Sequence, residues 1–260
     1  MVLEPGAGEM SSNLGWITPA VARNTRVCVY DRAGRGWSEP ADTPQDGARI
    51  ATDLHTLLHR AGVPGPYVLA GHSFGGLYVL TFAARYPHEV AGMVLVDSTA
   101  PKPAPTTATA SPRDPDLRRR RGPFLRAGVR LGSAGSGPAV GQVAVDGLPP
   151  RSRDEVRASV ATAGNLRSTI DEYVQASSSM QQAASLNDLG DKPLVVLTAG
   201  SGHDAAWTVA QNHLATLSTD SAHRVVDGAT HDGLIADEDD PAITTEAILD
   251  VVAAVRTEGP

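Results

Sequence analysis

Short runs of apolar residues recur along the chain at intervals that suit buried strands. Several runs are apolar on both faces, as parallel strands covered by helices require. Between two of them, residues 47–61 follow a helical period in which Ile50, Leu54, Leu57 and Leu58 share one face. Alternating strands and helices predict a doubly wound, mostly parallel α/β sheet. The predicted strands are residues 2–3, 26–30, 67–70, 93–96, 194–198 and 223–226.

The alternation stops in a long insertion before the fifth predicted strand. Its first half, residues 101–150, is rich in Pro, Ala, Thr, Gly and Arg, which predicts few long regular elements. Residues 151–163 and 165–186 then predict two helices. Such an insertion lies over the carboxyl edge of the sheet, where α/β folds bind ligands. We therefore divide the chain into a core, residues 1–97 and 192–260, and a helical lid, residues 98–191.

Composition and charge narrow the kind of partner. The 260 residues are 41% hydrophobic and 20% charged, and the net charge of -7 would repel nucleic acid and anionic membranes. No run approaches the roughly 18 apolar residues of a membrane span, and residues 1–20 lack the pattern of a signal peptide. Cys28 is the only cysteine, so an intrachain disulfide is excluded. We expect a cytoplasmic protein that acts on a small molecule, with neither a metal nor a cofactor.

The strongest chemical signal is Gly-His-Ser-Phe-Gly-Gly at residues 71–76. It directly follows a predicted strand and precedes the helix-forming run 77–86. In that context the pattern Gly-x-Ser-x-Gly is typical of a nucleophilic serine on a strained turn that only small flanking residues allow. We predict that Ser73 is the nucleophile and that the N–H of Phe74 stabilises the negative charge that develops on a bound carbonyl.

A serine hydroxyl needs a base to take its proton, and the chain has eight histidines. His231 lies in the loop of residues 228–233, after the last predicted strand and before a final helix around residues 242–255. This is where the chain order of nucleophile, acid and histidine places the base. We predict His231 as the general base and assign His72, inside the turn, to the substrate-binding residues.

Two aspartates compete for the acid that orients the histidine. Asp97 closes the strand 93–96, so its side chain would emerge at the same sheet edge as Ser73. Asp204 follows the penultimate strand in a glycine-rich loop, the commoner place for this acid. Either carboxylate could hold the imidazole tautomer. We favour Asp97, with Asp204 as the alternative.

Two further segments are predicted to border the site. Residues 3–8, after the first strand, are small enough for the backbone to approach a substrate, so we assign the N–H of Ala7 as the second oxyanion donor. Residues 31–38 contain two glycines that turn the chain. Within them, Trp37 is predicted either to contact the substrate or to pack in the core.

Several blocks of the sequence, in this order, resemble the α/β-hydrolase family, specifically its esterase, lipase and cofactor-free haloperoxidase-like branch. The resemblance covers nearly all the chain outside the insertion. It implies the α/β-hydrolase fold and a cofactor-free serine hydrolase that cleaves an ester or related acyl bond of a small, apolar substrate. A serine at position 73 argues against the relatives whose nucleophile is a carboxylate, the epoxide hydrolases and haloalkane dehalogenases. The blocks are residues 29–38, 71–76, 91–97, 197–200 and 228–231.

The sequence departs from the family pattern at its start. The family usually has two further strands before the one at residues 2–3. Without them the strand 26–30 would be an unpaired edge. We expect that the natural start lies upstream, or that a second copy of the chain covers this edge in a homodimer.

Three other functions are compatible with the same residues. An acyltransferase would use the same catalytic groups while excluding water, and a perhydrolase would use them with peroxide. A non-catalytic binding protein could keep the fold without the activity. Product analysis distinguishes the acyltransferase and the perhydrolase from a hydrolase. The absence of a reactive serine would indicate the binding protein.

Overall fold

The computed structural model describes residues 1–102 and 145–258. Within these residues, six strands form one sheet in the order β2-β1-β3-β4-β5-β6, and every pairing is parallel. The predicted doubly wound sheet is therefore confirmed, with β2 shorter than expected. The strands are β1 (Val2–Glu4), β2 (Cys28–Val29), β3 (Tyr67–His72), β4 (Val90–Val96), β5 (Leu194–Ala199) and β6 (Ser221–Val226).

Helices cover both faces of this sheet. The α-helices are α1 (Ile17–Ala22), α2 (Gly47–Arg60), α3 (Phe74–Arg85), α4 (Pro150–Val160), α5 (Ala163–Val174), α6 (Ala176–Ala183), α7 (Ala205–Ala215), α8 (Gly233–Ala236) and α9 (Asp240–Glu258). Two short 3-10 turns span Ser11–Leu14 and Pro87–Glu89. None of the helices in the described ranges combines the length and apolar character needed to cross a membrane.

The hydrophobic core consists of two layers, one on each face of the sheet. Alternate side chains of β3 point to opposite faces. Val68 and Ala70 belong to the cluster that includes α1 and α9, whereas Leu69 belongs to the cluster that includes α2 and α3. This explains why the central strands are apolar at nearly every position: both of their faces are buried.

Helix α2 begins at an N-cap, because the Asp46 side chain accepts a hydrogen bond from the Arg49 N–H at 2.9 Å. Its buried arc includes Gly47 and Ala51 as well as three of the four predicted apolar positions, Ile50, Leu54 and Leu58. Their burial moves the centre of the arc away from Leu57, which is 44% exposed although we predicted it on the core face.

The described part of the insertion, residues 98–102 and 145–191, has three helices where we predicted two. The predicted helix 165–186 is interrupted at Gln175, whose N–H donates to the carbonyls of both Asp171 and Tyr173 and so tightens the last turn of α5. Helix α6 then packs on α2, where Ser179 Oγ accepts from the Gly47 N–H at 3.0 Å. Our expectation for residues 101–150 falls mostly on residues 103–144, outside the described residues.

The two ends of the strand order are the edges of the sheet. Among the described residues, β2 pairs with β1 alone, at the edge where we predicted an unpaired strand. Strand β6 forms the opposite edge. Because all strands run in the same direction, the segments that follow them meet along one carboxyl edge, where the candidate residues lie.

Two leucines of α2 test this account of the core. We expect Leu54→Ala to lower the free energy of unfolding by about 2–5 kcal/mol, because Leu54 is 2% exposed and its removal leaves a cavity. Leu57→Ala, the matched change on the same helix, should cost less than about 1 kcal/mol. Urea unfolding measures both; equal losses would contradict the assigned burial.

Candidate active site

Ser73 lies on a strained turn between β3 and α3. Its backbone has φ 52° and ψ -121°, a region that non-glycine residues rarely adopt. Close packing enforces the turn: a Cβ on Gly71 would lie 2.5 Å from the carbonyl oxygen of Gly75, and one on Gly75 would collide with that of Glu4. The strain is therefore imposed by the surrounding backbone, which is typical of functional sites.

Asp97 and His231 are directly hydrogen-bonded. Asp97 follows β4, has a positive φ of 42° and is fully buried. His231 lies between β6 and α8, and its Nδ1 is 2.6 Å from Asp97 Oδ2. His231 also lies beside the Ser73 turn, since its carbonyl oxygen accepts from His72 Nε2 at 3.1 Å. The structure thus brings Asp97, His231 and the turn together at the carboxyl edge.

The Asp97 carboxylate accepts three further hydrogen bonds. His203 Nε2 lies 2.6 Å from Oδ2, and Trp207 Nε1 and the Ala199 N–H lie 2.9 and 3.2 Å from Oδ1. Burial alone would raise the pKa of Asp97, but the hydrogen bond and charge of His231, together with Trp207, lower it. The charged carboxylate is thereby stabilised.

Sequence reasoning missed His203 and Trp207. Their rings stack with centroids 4.5 Å apart and an interplanar angle of 7°. The available signal was their place after β5, which lies next to β4 in the sheet. We considered only Asp204 in that loop. Its side chain instead accepts from the Trp207 N–H at 3.0 Å and caps α7.

His72, which we assigned to substrate binding, is buried beneath the site. Its Nδ1 is 2.9 Å from a Glu9 oxygen, and its Nε2 donates to the carbonyl of His231. Both ring nitrogens are therefore occupied by protein groups. Although burial would lower it, the Glu9 carboxylate raises the pKa of His72 to about 9. His72 thus connects Glu9 to the backbone of the His231 loop.

The two predicted oxyanion donors lie on adjoining segments. The neighbours of Ala7 are both bonded to carboxylates: the Gly6 N–H to Glu9 and the Gly8 N–H to Glu172, the latter at 2.9 Å. Within residues 1–102 and 145–258, the N–H groups of Ala7 and Phe74 have no protein acceptor. Both amides are therefore available to another acceptor.

A buried ionic cluster contacts the Ala7 loop and holds it in place. Arg32 contacts Glu4 at 2.7 Å and Glu172 at 2.8 Å, and Arg35 contacts the second oxygen of Glu172 at 2.7 Å. Arg32 also donates to the carbonyl of Gly6 at 2.6 Å. Burial would raise the pKa of Glu172, but the two arginines lower it. Because Glu172 belongs to α5, this cluster fixes the insertion against the loop after β1.

Trp37 and Tyr173 are two aromatic residues in segments that were predicted to border the site. Trp37 is 81% exposed, and its N–H donates to Asp31, so its backbone is fixed while its indole is open to solvent. Tyr173 of α5 packs against Phe74 with ring centroids 5.4 Å apart. An aromatic side chain of the insertion therefore lies next to the turn, where we had predicted none.

Comparison with known proteins identifies the family. The model of the α/β hydrolase fold family matches residues 1–237. The chain belongs to the α/β hydrolase fold family. An uncharacterized protein of Schizosaccharomyces pombe is 44% identical over 82 residues, 32% of this chain and 15% of that protein. An AB hydrolase superfamily protein of Gibberella zeae is 31% identical over 105 residues, 39% of this chain and 33% of that protein.

The chain spans less than half the length of these curated relatives. Solved structures, in contrast, are similar in fold over nearly the whole chain. A thermophilic esterase from Thermogutta terrifontis superposes with a TM-score of 0.65 at 20% identity, covering 98% of this chain and 89% of the esterase. At that identity the likeness concerns the fold alone. Family membership supports a hydrolase.

The Glu9–His72 pair makes the stability of this α/β hydrolase depend on pH. Unfolded His72 loses its proton near pH 6.5, whereas folded His72 keeps it up to about pH 9. The stabilisation is therefore complete below pH 6.5. It is lost between pH 6.5 and about 9, where the free energy of unfolding falls by about 1.4 kcal/mol per pH unit. Glu9→Gln should abolish this slope in urea unfolding, and equal slopes in both proteins would contradict it.

Proposed function

We propose that the chain is a serine hydrolase, which cleaves an ester or related acyl bond of a small, apolar substrate through an acyl-enzyme on Ser73. The observation that carries this proposal is the 2.6 Å contact between His231 Nδ1 and Asp97 Oδ2, beside the strained turn that bears Ser73. A nucleophile, a base and an orienting acid are the groups that such chemistry commonly uses.

In this proposal each group has its own step. Because Nδ1 of His231 is bonded to Asp97, its Nε2 would take the proton as Ser73 Oγ attacks the carbonyl carbon. The N–H groups of Phe74 and Ala7 would stabilise the oxyanion. His231 would then give the proton to the leaving group, and later take one from the water that releases the acid. None of these steps needs a cofactor.

Asp97 is the stronger candidate for the acid. It contacts His231 and is the acceptor of four hydrogen bonds, whereas the Asp204 side chain caps α7. The second contact to Oδ2, from His203, would hold the carboxylate in the orientation that His231 requires. His203 thus acts, in this proposal, as a positioning residue.

The exposed side chains of α5 are the observation that supports an apolar substrate. Four large apolar side chains of this helix are exposed: Leu166, Ile170, Tyr173 and Val174. One of them, Tyr173, packs on Phe74 beside the nucleophile. We propose that the insertion, residues 98–191 between the core segments 1–97 and 192–260, forms the substrate-binding lid. A cytoplasmic location and pairing of two copies across the β2 edge also stay predictions.

The nucleophile is tested with p-nitrophenyl esters from acetate to long chain. Ser73→Ala should lose turnover by several orders of magnitude and should no longer react with a fluorophosphonate probe, because no oxygen remains to form the acyl-enzyme. Ser221→Ala, at an exposed serine at the amino end of β6, is the control and should match the wild type. A wild type that neither turns over esters nor reacts with the probe would favour a binding protein.

The acid is tested by the same change at both aspartates. Asp97→Asn should lower kcat by about 10³–10⁴-fold, because the His231 tautomer is no longer held. Asp204→Asn should change kcat by only a few fold, because asparagine also caps a helix well. Steady-state kinetics and thermal melts of both variants separate catalysis from folding; the reverse order of effects would assign Asp204 as the acid.

A further inference from the structure

A second cluster of potential ligands lies far from the proposed active site. His55 and His59 are on α2, and Glu89 ends the short turn that precedes β4. The turn is at the amino edge of the sheet, whereas Ser73 and Asp97 follow strands at the carboxyl edge. A strand of six or seven residues separates the two edges by roughly 20 Å. The cluster therefore plays no part in the steps proposed above.

The three donor atoms already have the spacing of metal ligands. His55 Nε2 and His59 Nε2 lie 3.0 and 3.4 Å from the same oxygen, Glu89 Oε1. All three atoms lie within 4.8 Å of one another. Bonds of about 2.0–2.1 Å to a tetrahedral zinc ion place neighbouring ligand atoms about 3.3 Å apart. A metal ion could therefore bind with only small side-chain movements.

The surroundings hold one ligand in place and leave another without a partner. The His55 ring stacks on Tyr86 with centroids 4.0 Å apart and an interplanar angle of 12°. The other oxygen of Glu89, Oε2, is buried and has no hydrogen-bond partner in the part of the chain that the structure describes. A buried carboxylate oxygen without a donor is costly, and a bound cation would supply the compensating charge. The His59 side chain is 58% exposed, which leaves room for a water as fourth ligand.

We propose that His55, His59 and Glu89 bind one divalent transition-metal ion of the zinc class. Two imidazoles and one carboxylate suit zinc, nickel or copper, whereas magnesium and calcium prefer oxygen ligands alone. The ion would connect the carboxyl-terminal half of α2 to the turn before β4. It would stabilise the folded chain, because this arrangement of ligands exists only when α2 is packed against the core.

The test uses zinc chloride and the full chain, freed of metal with a chelator. Isothermal titration calorimetry should show one zinc ion for the wild type, and His59→Gln should weaken this binding at least 10-fold. Glu89→Gln should do the same through the other element. His213→Gln, at an exposed histidine of α7, is the matched control and should bind zinc like the wild type. Saturating zinc should raise Tm in the wild type and the control but not in His59→Gln.

Two results would overturn the proposal. One is the absence of zinc binding to the wild type at up to about 1 mM. The other is unchanged binding in both His59→Gln and Glu89→Gln, which would place the ion elsewhere, such as at Asp97, His203 and His231, whose donor atoms also lie within 4.8 Å of one another. Because the readouts are binding and Tm, they do not depend on whether the chain hydrolyses esters.

Discussion

The buried carboxylate of Asp97 is the constraint on which the rest of the site depends. A charge without solvent is strongly destabilising unless donors surround it. Four donors do so, from Ala199, His203, Trp207 and His231. They belong to β5, the loop that follows it, α7 and the loop after β6. A displacement of any of these segments would leave part of the charge unpaired, so this one group fixes their relative positions.

A second buried ionic cluster has the same effect on the other side of the turn. Glu172 joins the arginines at positions 32 and 35 to the loop that carries Ala7. Replacing such a cluster by apolar residues is often neutral for stability, but removing one partner leaves an uncompensated charge. The cluster therefore adds little to the free energy of unfolding. Its main effect is to hold the Ala7 amide at a fixed place relative to α5.

Local patterns predicted the sheet because each central strand is buried on both faces, and a strand of that kind is apolar at nearly every position. They also predicted the turn at Ser73, since the backbone contact that requires Gly71, with Gly75, lies within the turn itself. The break at Gln175 and the exposure of Leu57 were not predictable, because both depend on which neighbouring element packs there. Nothing in the local sequence of His203 or Trp207 reveals that a carboxylate more than 100 residues away accepts their hydrogen bonds.

The origin of those hydrogen bonds has a consequence for synthesis of the chain. Asp97 leaves the ribosome before any of its four donors, the last of which, His231, follows 134 residues later. At about 5–20 residues per second, the carboxylate stays unpaired for on the order of 10 s. During that time β4 cannot bury its carboxyl end without leaving a charge unpaired. We therefore expect the first half of the sheet to remain partly exposed to water until the second half has been synthesised.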